Sequence, residues 1–213
     1  MGYQMRPMRV EDISQANEID RECFPTQWPP PSYKMDLFFS RPIHYLVACD
    51  EGASPATEQR GQARPGLGRL LRKLRHPFHA DRASASNQKV VGLVGVWVMA
   101  GEAHITTIGV RAAYRKRGIG ELLLISAIEL ALIQNARLVT LEVRASNNAA
   151  QALYEKYGFT KVGVRPGYYT DNREDAVIMS TDTITSASFQ SRFQRLKRAH
   201  AERWGPAQIQ IRI

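Results

Sequence analysis

Cysteine is scarce in this chain of 213 residues: only Cys23 and Cys49 occur, with no metal-ligand spacing around them. A disulfide framework and a cysteine-built metal centre are thereby excluded, and both thiols read as small buried hydrophobes. Long apolar runs are missing too. No stretch approaches the length of a membrane span, and Met1–Val10 has no signal-peptide apolar core, so the expected location is cytoplasmic. The Lys-Ser/Thr pair of a nucleoside-triphosphate loop and the G-x-G-x-x-G of a dinucleotide fold are both absent, which makes ATP and NAD poor candidates. His76 and His79 have no partners spaced as ligands, and no metal is expected.

What is present is an ordinary soluble composition, 44% hydrophobic and 23% charged, with length enough for one good-sized core. The net charge of +9 is unevenly placed. Residues 51–88 hold seven basic against three acidic side chains and residues 186–213 six against one, while the remainder is balanced. Basic appendages on a neutral domain are therefore expected: a domain over 1–185, a flexible insertion over 51–88 and a helical extension over 186–213. Within the insertion, Leu67, Leu70, Leu71, Leu74 and Phe78 recur at helical spacing beside Arg69, Arg72, Lys73 and Arg75. Two readings stand for it, a contact with RNA or anionic lipid and a helix docked on its own domain or a disordered loop.

Periodicity gives strands over Tyr3–Met8, His44–Cys49, Val90–Met99, His104–Val110, Val139–Val143, Phe159–Val164 and Ala176–Met179. Helices are expected over Glu11–Cys23, Ser32–Phe39, Gly118–Gln134 and Asn148–Tyr157, with a last one carrying Phe189, Phe193, Leu196 and Trp204. The order is β-α-α-β-β-β-α-β-α-β-β, an α/β domain with a mixed sheet.

Ile108 to Gly120 reads as a strand end, a basic turn and a glycine-punctuated helix start. Arg115-x-x-Gly118-x-Gly120 lets the backbone curl so that several amides converge, and the helix dipole adds to them. Such a turn can bind the pyrophosphate of a nucleotide-like cofactor. Glu142 follows the apolar run Leu138–Leu141 near a strand end, where a carboxylate is either paired, with Arg144 or Arg137 as neighbours, or functional. Asn147, Gln151 and Tyr154 share one face of the next helix, and Gly158 ends it.

These segments, with Cys23-Phe24-Pro25-Thr26-Gln27-Trp28, Leu141–Asn147, Leu153-Tyr154, Gly158-Phe159, Tyr168-Tyr169 and Arg173–Met179, resemble the Gcn5-related N-acetyltransferase (GNAT) superfamily. More narrowly, the chain is similar to RimI-type ribosomal-protein-alanine N-acetyltransferases. The resemblance implies a GNAT-type mixed, mostly antiparallel sheet with splayed central strands flanked by helices, carrying here a basic hairpin insertion and a C-terminal helix. It also implies acetyl-CoA as cosubstrate and no metal.

By motif match, Glu142 would be the base and Tyr154 the acid. Arg115, Lys116, Arg117, Gly118, Ile119, Gly120 and Glu121 would hold the pyrophosphate. Ile108, Gly109 and Val110 would pair with the pantetheine arm, a backbone N–H near Val110 would polarise the thioester, and Asn147 would bind the cofactor from the far side. Phe24, Pro25, Trp28, Tyr168 and Tyr169 would shape the peptide pocket, and His104 is a fallback base. The implied partner is a protein N-terminus, the alanine of the eighteenth small-subunit ribosomal protein foremost, with a ribosome or RNA contact through residues 60–82 and 192–203. Broad protein N-terminal acetylation, small-molecule acetylation and a non-catalytic RNA-binding module remain as alternatives.

Overall fold

The computed structural model describes residues 2–24, 32–38, 42–52 and 88–211. The basic helix expected within the insertion, together with Pro25 and Trp28, lies outside the described residues. The chain forms β1 (Tyr3–Pro7), α1 (Ile13–Cys23), α2 (Tyr33–Phe38), β2 (Ile43–Asp50), β3 (Lys89–Met99), β4 (Glu102–Val110), α3 (Ile119–Ile133), β5 (Leu138–Arg144), α4 (Asn148–Lys156), β6 (Phe159–Tyr169), β7 (Glu174–Thr181), α5 (Ala187–Trp204) and β8 (Gln208–Ile209).

One mixed sheet results, in the order β6-β7-β5-β4-β3-β2-β1-β8. Among the described residues only β4–β5 and β1–β8 are parallel pairs, which is the expected mostly antiparallel α/β architecture. α3 is apolar nearly all round because it is nearly all buried: Leu122 to Ile128 vanish between the sheet and α5. On the opposite face, Ala16 and Ile19 of α1 and Tyr33 of α2 pack on Tyr45, Val47, Val90 and Leu93.

The parallel seam decides where a site can form. β4 and β5 are in register only from Glu102↔Leu138 to Ile105↔Leu141. Past that point β4 carries a bulge between its pairings Val96↔Ile105 and Gly95↔Thr107, and the two strands continue without a ladder between them. A bulge adds bend and twist to one strand only, so the central strands part and leave polar backbone edges open inside the sheet.

Two elements differ from the periodicity. β6 runs through Tyr169 although Pro166-Gly167 signals a break. It lies at the sheet edge, where a proline's missing N–H costs no ladder bond. A register shift between Arg165 and Tyr169 absorbs the irregularity, with Gly167 at φ +59 donating its N–H to Asp175 Oδ1 at 2.8 Å. β8 escapes a pattern-based reading because two residues carry no period; it pairs with β1 and closes that edge.

Candidate functional site

The alternation of strand N–H groups sets the first wall. Arg111 donates its N–H to Val91 O on β3 at 2.9 Å, so the N–H groups of Ile108 and Val110 point the other way, into the gap beside β5. Gly109 lets the end of α1 close on β4: a Cβ there would meet Cys23 Sγ at 3.2 Å and the Phe24 ring at 3.3 Å. Glu18 and Glu22 fasten the same helix end to the turn, Glu18 through Arg111 at 2.7 Å and Glu22 by accepting from the Ala112 amide. Phe24 is thus held at the mouth of the gap. Cys23 donates from Sγ to Val110 O at 3.4 Å, and burial pushes its thiol pKa up, so it is protonated and inert.

The basic turn then coils as its glycines require. Lys116 has φ +60 and Gly118 φ +76, both left-handed, which turns successive amides to one side. The amides of Gly118, Ile119, Gly120 and Glu121 find no acceptor among the described residues, and no side chain caps α3. Space over Gly120 is open, its nearest neighbour being Val110 Cγ2 at 3.9 Å from a built Cβ. The result is a helix N-terminus with free donors beside the open space over Gly120, a fitting cradle for a diphosphate.

The basic side chains do less than their number suggests. Arg115 folds back to Val110 O at 3.2 Å, and Arg117 lies over the Tyr114 ring at 5.0 Å. Glu121 turns away to accept from Lys156 Nζ at 2.6 Å and Tyr157 Oη at 2.7 Å. Burial pushes the Glu121 pKa up, but those two hydrogen bonds outweigh it and the net direction is down.

Across the gap, Glu142 projects from β5 beside the last ladder pair. His104 is paired with Thr140, hence diagonal to Glu142 on one face, and its Nε2 lies 3.0 Å from Glu142 Oε2. Arg165 Nε of β6 lies 3.1 Å from the other oxygen. The carboxylate is therefore paired, but with these two rather than with Arg144 or Arg137, the local partners suggested by sequence. Glu142 is only about a tenth exposed, whereas Arg165 is more than half exposed and sits on the solvent side.

Arg144 is occupied elsewhere. It bonds Asp171 at 2.9 Å and Glu174 at 3.1 Å and lies 3.9 Å from the Tyr169 ring centroid. Tyr168 meets Tyr169 edge-on at 5.2 Å, on the hairpin that Arg144 braces through Asp171 and Glu174. Gln151 fixes the start of α4 by donating to Arg144 O and Ala145 O, both at 3.0 Å. Asn147 caps α4 by accepting from Ala150 N at 3.2 Å. Tyr154 is buried, and burial, then Tyr169, pushes its pKa well up. Arg144, Arg165 and Glu174 were not singled out by spacing as site builders. Arg144 and Glu174 fall within the motif segments Leu141–Asn147 and Arg173–Met179, whereas nothing marked Arg165.

Glu174 yields the first prediction. Ser146, then Asn172 and Arg144, hold its carboxyl down to about 2 from 4.5. The native state therefore binds fewer protons than the unfolded chain between those values. This stabilisation is complete above about pH 4.5 and is lost as pH falls to about 2. In urea denaturation across that window, Glu174→Gln is expected to lie below the unaltered protein near neutrality and to converge with it in acid. A constant difference would show that the carboxylate's charge is idle.

A family model described as the acetyltransferase (GNAT) family matches residues 13–159. A Bacillus subtilis protein provisionally named a ribosomal protein bS18-alanine N-acetyltransferase is 34% identical over 175 residues, covering 82% of this chain and 92% of that one. The Escherichia coli ribosomal protein bS18-alanine N-acetyltransferase is 34% identical over 140 residues, 65% of this chain and 95% of its own. The crystal structure of the ribosomal-protein-S18-alanine N-acetyltransferase from Escherichia coli aligns with TM-score 0.60 at 25% identity, covering 87% of this chain and 96% of that one. No helix among the described residues is long and apolar enough to cross a membrane.

Proposed function

The chain belongs to the GNAT acetyltransferase family, and on that premise we propose that it acetylates the α-amine of a protein N-terminus, foremost the N-terminal alanine of a small-subunit ribosomal protein. The observation that carries this reading is the seam: the β4–β5 ladder stops at Ile105↔Leu141, and the next residue of β5 is Glu142. An open strand edge, free helix-start amides and a nearly buried carboxylate thus share one gap.

Acetyl-CoA, when bound, supplies the acetyl thioester that the amine attacks. Its pyrophosphate fits the free amides of Gly118 to Glu121, with Lys116 and Arg117 at the rim and Asn147 on the far side. The edge Ile108–Val110 offers donors and acceptors to the two amides of the pantetheine arm, and the Val110 N–H is available to polarise a carbonyl. Glu142 takes the proton from the incoming ammonium. Tyr154, kept neutral by burial, gives a proton to the departing sulfur. Phe24, Tyr168 and Tyr169 flank the entry for the first peptide residues.

An α-amine has a pKa of about 8 against about 10.4 for a lysine side chain. Freeing a lysine amine at neutral pH therefore costs roughly 3.3 kcal/mol more. One carboxylate suffices for the first and is a poor match for the second. The test is purified protein with acetyl-CoA and a panel of peptides, read by mass. Peptides beginning with Ala, Ser or Met are expected to gain one acetyl group, and N-terminally blocked peptides carrying lysine none. Acetylation of the blocked peptides alone would reverse the assignment.

A further inference from the structure

α5 carries one continuous stripe. Phe189, Phe193, Leu196, His200 and Trp204 follow at steps of four, three, four and four, which keeps them on one helix face. The first three enter the main core with α3, while Arg195 and Arg198 face solvent. The last two leave the core and reach the start of α3. His200, buried, places Nε2 2.9 Å from Gly118 O. A carbonyl only accepts, so the ring donates. The Trp204 ring lies flat on Gly118: a Cβ built there would fall 2.7 Å from two ring atoms.

The helix that delivers these groups is fastened along its length. Ser186 caps its start by accepting from Phe189 N at 3.3 Å. Arg192 donates to the last carbonyls of α4, Glu155 O at 3.0 Å and Lys156 O at 2.7 Å, and Lys197 pairs with Glu129 of α3. Beyond Gly205 the chain is tied again, where β8 pairs with β1 and Gln210 N donates to Met5 O at 2.8 Å. α5 and β8 themselves lie beyond the segment 13–159 that the family model matches.

We propose that His200 and Trp204 are positioning residues for the cofactor: α5 acts as a back-clamp on Gly118 that holds the free amides of the turn aimed at the cofactor's diphosphate. The peptide plane gives the mechanism. The C=O of Gly118 and the N–H of Ile119 belong to one trans unit and point in opposite directions. Gly118 O is held twice, by His200 and by Leu122 N at 3.0 Å. Fixing that oxygen on the protein side fixes the Ile119 N–H on the open side. The Trp204 ring blocks retreat of the glycine, which otherwise has the widest backbone freedom of any residue. Donors fixed beforehand need not be ordered when the ligand arrives.

The inference rests on the reading that this turn holds the cofactor, and the experiment separates the two. CoA is titrated calorimetrically into the unaltered protein and into Trp204→Ala, His200→Leu, Trp204→Phe and His200→Gln, with kcat and KM measured on the peptide found above. Trp204→Ala and His200→Leu are expected to weaken CoA binding and raise KM for acetyl-CoA about tenfold, with kcat changed less than about twofold. Trp204→Phe and His200→Gln, which keep a ring and a donor, are expected to recover most of the loss. His200→Leu preserves buried volume, so it reports even where the Trp204 change unfolds the chain. CoA affinity unchanged in both truncating variants overturns the clamp alone. Absence of CoA binding by the unaltered protein overturns the underlying reading with it.

Discussion

Replacement of Glu142 by glutamine is expected to lower kcat about 10²- to 10⁴-fold, the usual contribution of a positioned general base. Affinity for CoA should stay within about twofold, because the free amides of Gly118–Glu121 belong to a different element. Glutamine preserves the side chain's length and can still accept from His104 Nε2, which sits 3.0 Å away. What it loses is the capacity to take a proton and the charge that attracts Arg165 at 3.1 Å. The two losses are separable. Arg165→Ala removes the same ion pair while keeping the carboxylate, so it should retain far more turnover than Glu142→Gln. Steady-state kinetics on an alanine-initiated peptide decides the matter. Retained turnover in Glu142→Gln would move the base to His104, the other titratable group in contact with this position, and His104→Gln would then show the large loss instead.

That His104 and Arg165 grip Glu142 could not be read from the chain, and the reason is general. A carboxylate two residues before an arginine on one strand looks paired with it, since both side chains share a face. Arg144 is drawn off by Asp171 and Glu174, which only the β6–β7 hairpin brings near. The turn Arg115–Gly120 was legible because its conformation is local: positive φ at Gly118 and the start of an apolar helix are encoded within a few residues. Element order pointed to an α/β domain with a mixed sheet, and the family resemblance implied that it is mostly antiparallel with splayed central strands; the strand order and the pair that splays come from the structure. The bulge at Thr106 is not marked by any glycine or proline in β4 at that point, so the place where the seam opens had no sequence signal. Trp204 and Gly118 are 86 residues apart, and periodicity placed the tryptophan on a basic helix without showing what its apolar face covers. Charge suggested an appendage, while packing puts Phe189 and Phe193 in the main core.

The largest loss of stability is expected away from the gap, at the entry to α1. Arg6 and Asp12 are 2% and 0% exposed and form a two-pronged pair, Nη1 to Oδ2 at 2.6 Å and Nη2 to Oδ1 at 3.0 Å. Asp12 also accepts from the Arg9 amide at 2.8 Å, and Arg6 Nε donates to Gln88 Oε1 at 2.9 Å, which joins β1, α1 and the root of β3. Asp12→Ala leaves a guanidinium, which cannot lose its proton, buried without a counter-charge; the cost is about 3–5 kcal/mol. Against a typical total of about 5–15 kcal/mol, that is a large share of the fold's stability. Arg6→Met should cost less, because the abandoned carboxylate keeps the Arg9 amide. The double variant Arg6→Met with Asp12→Leu should lie well above Asp12→Ala, since it buries no lone charge. Chemical denaturation of the four proteins gives the ordering. If Asp12→Ala loses less than about 1 kcal/mol, as exposed pairs do, water reaches the guanidinium and the pair is not sealed in the interior.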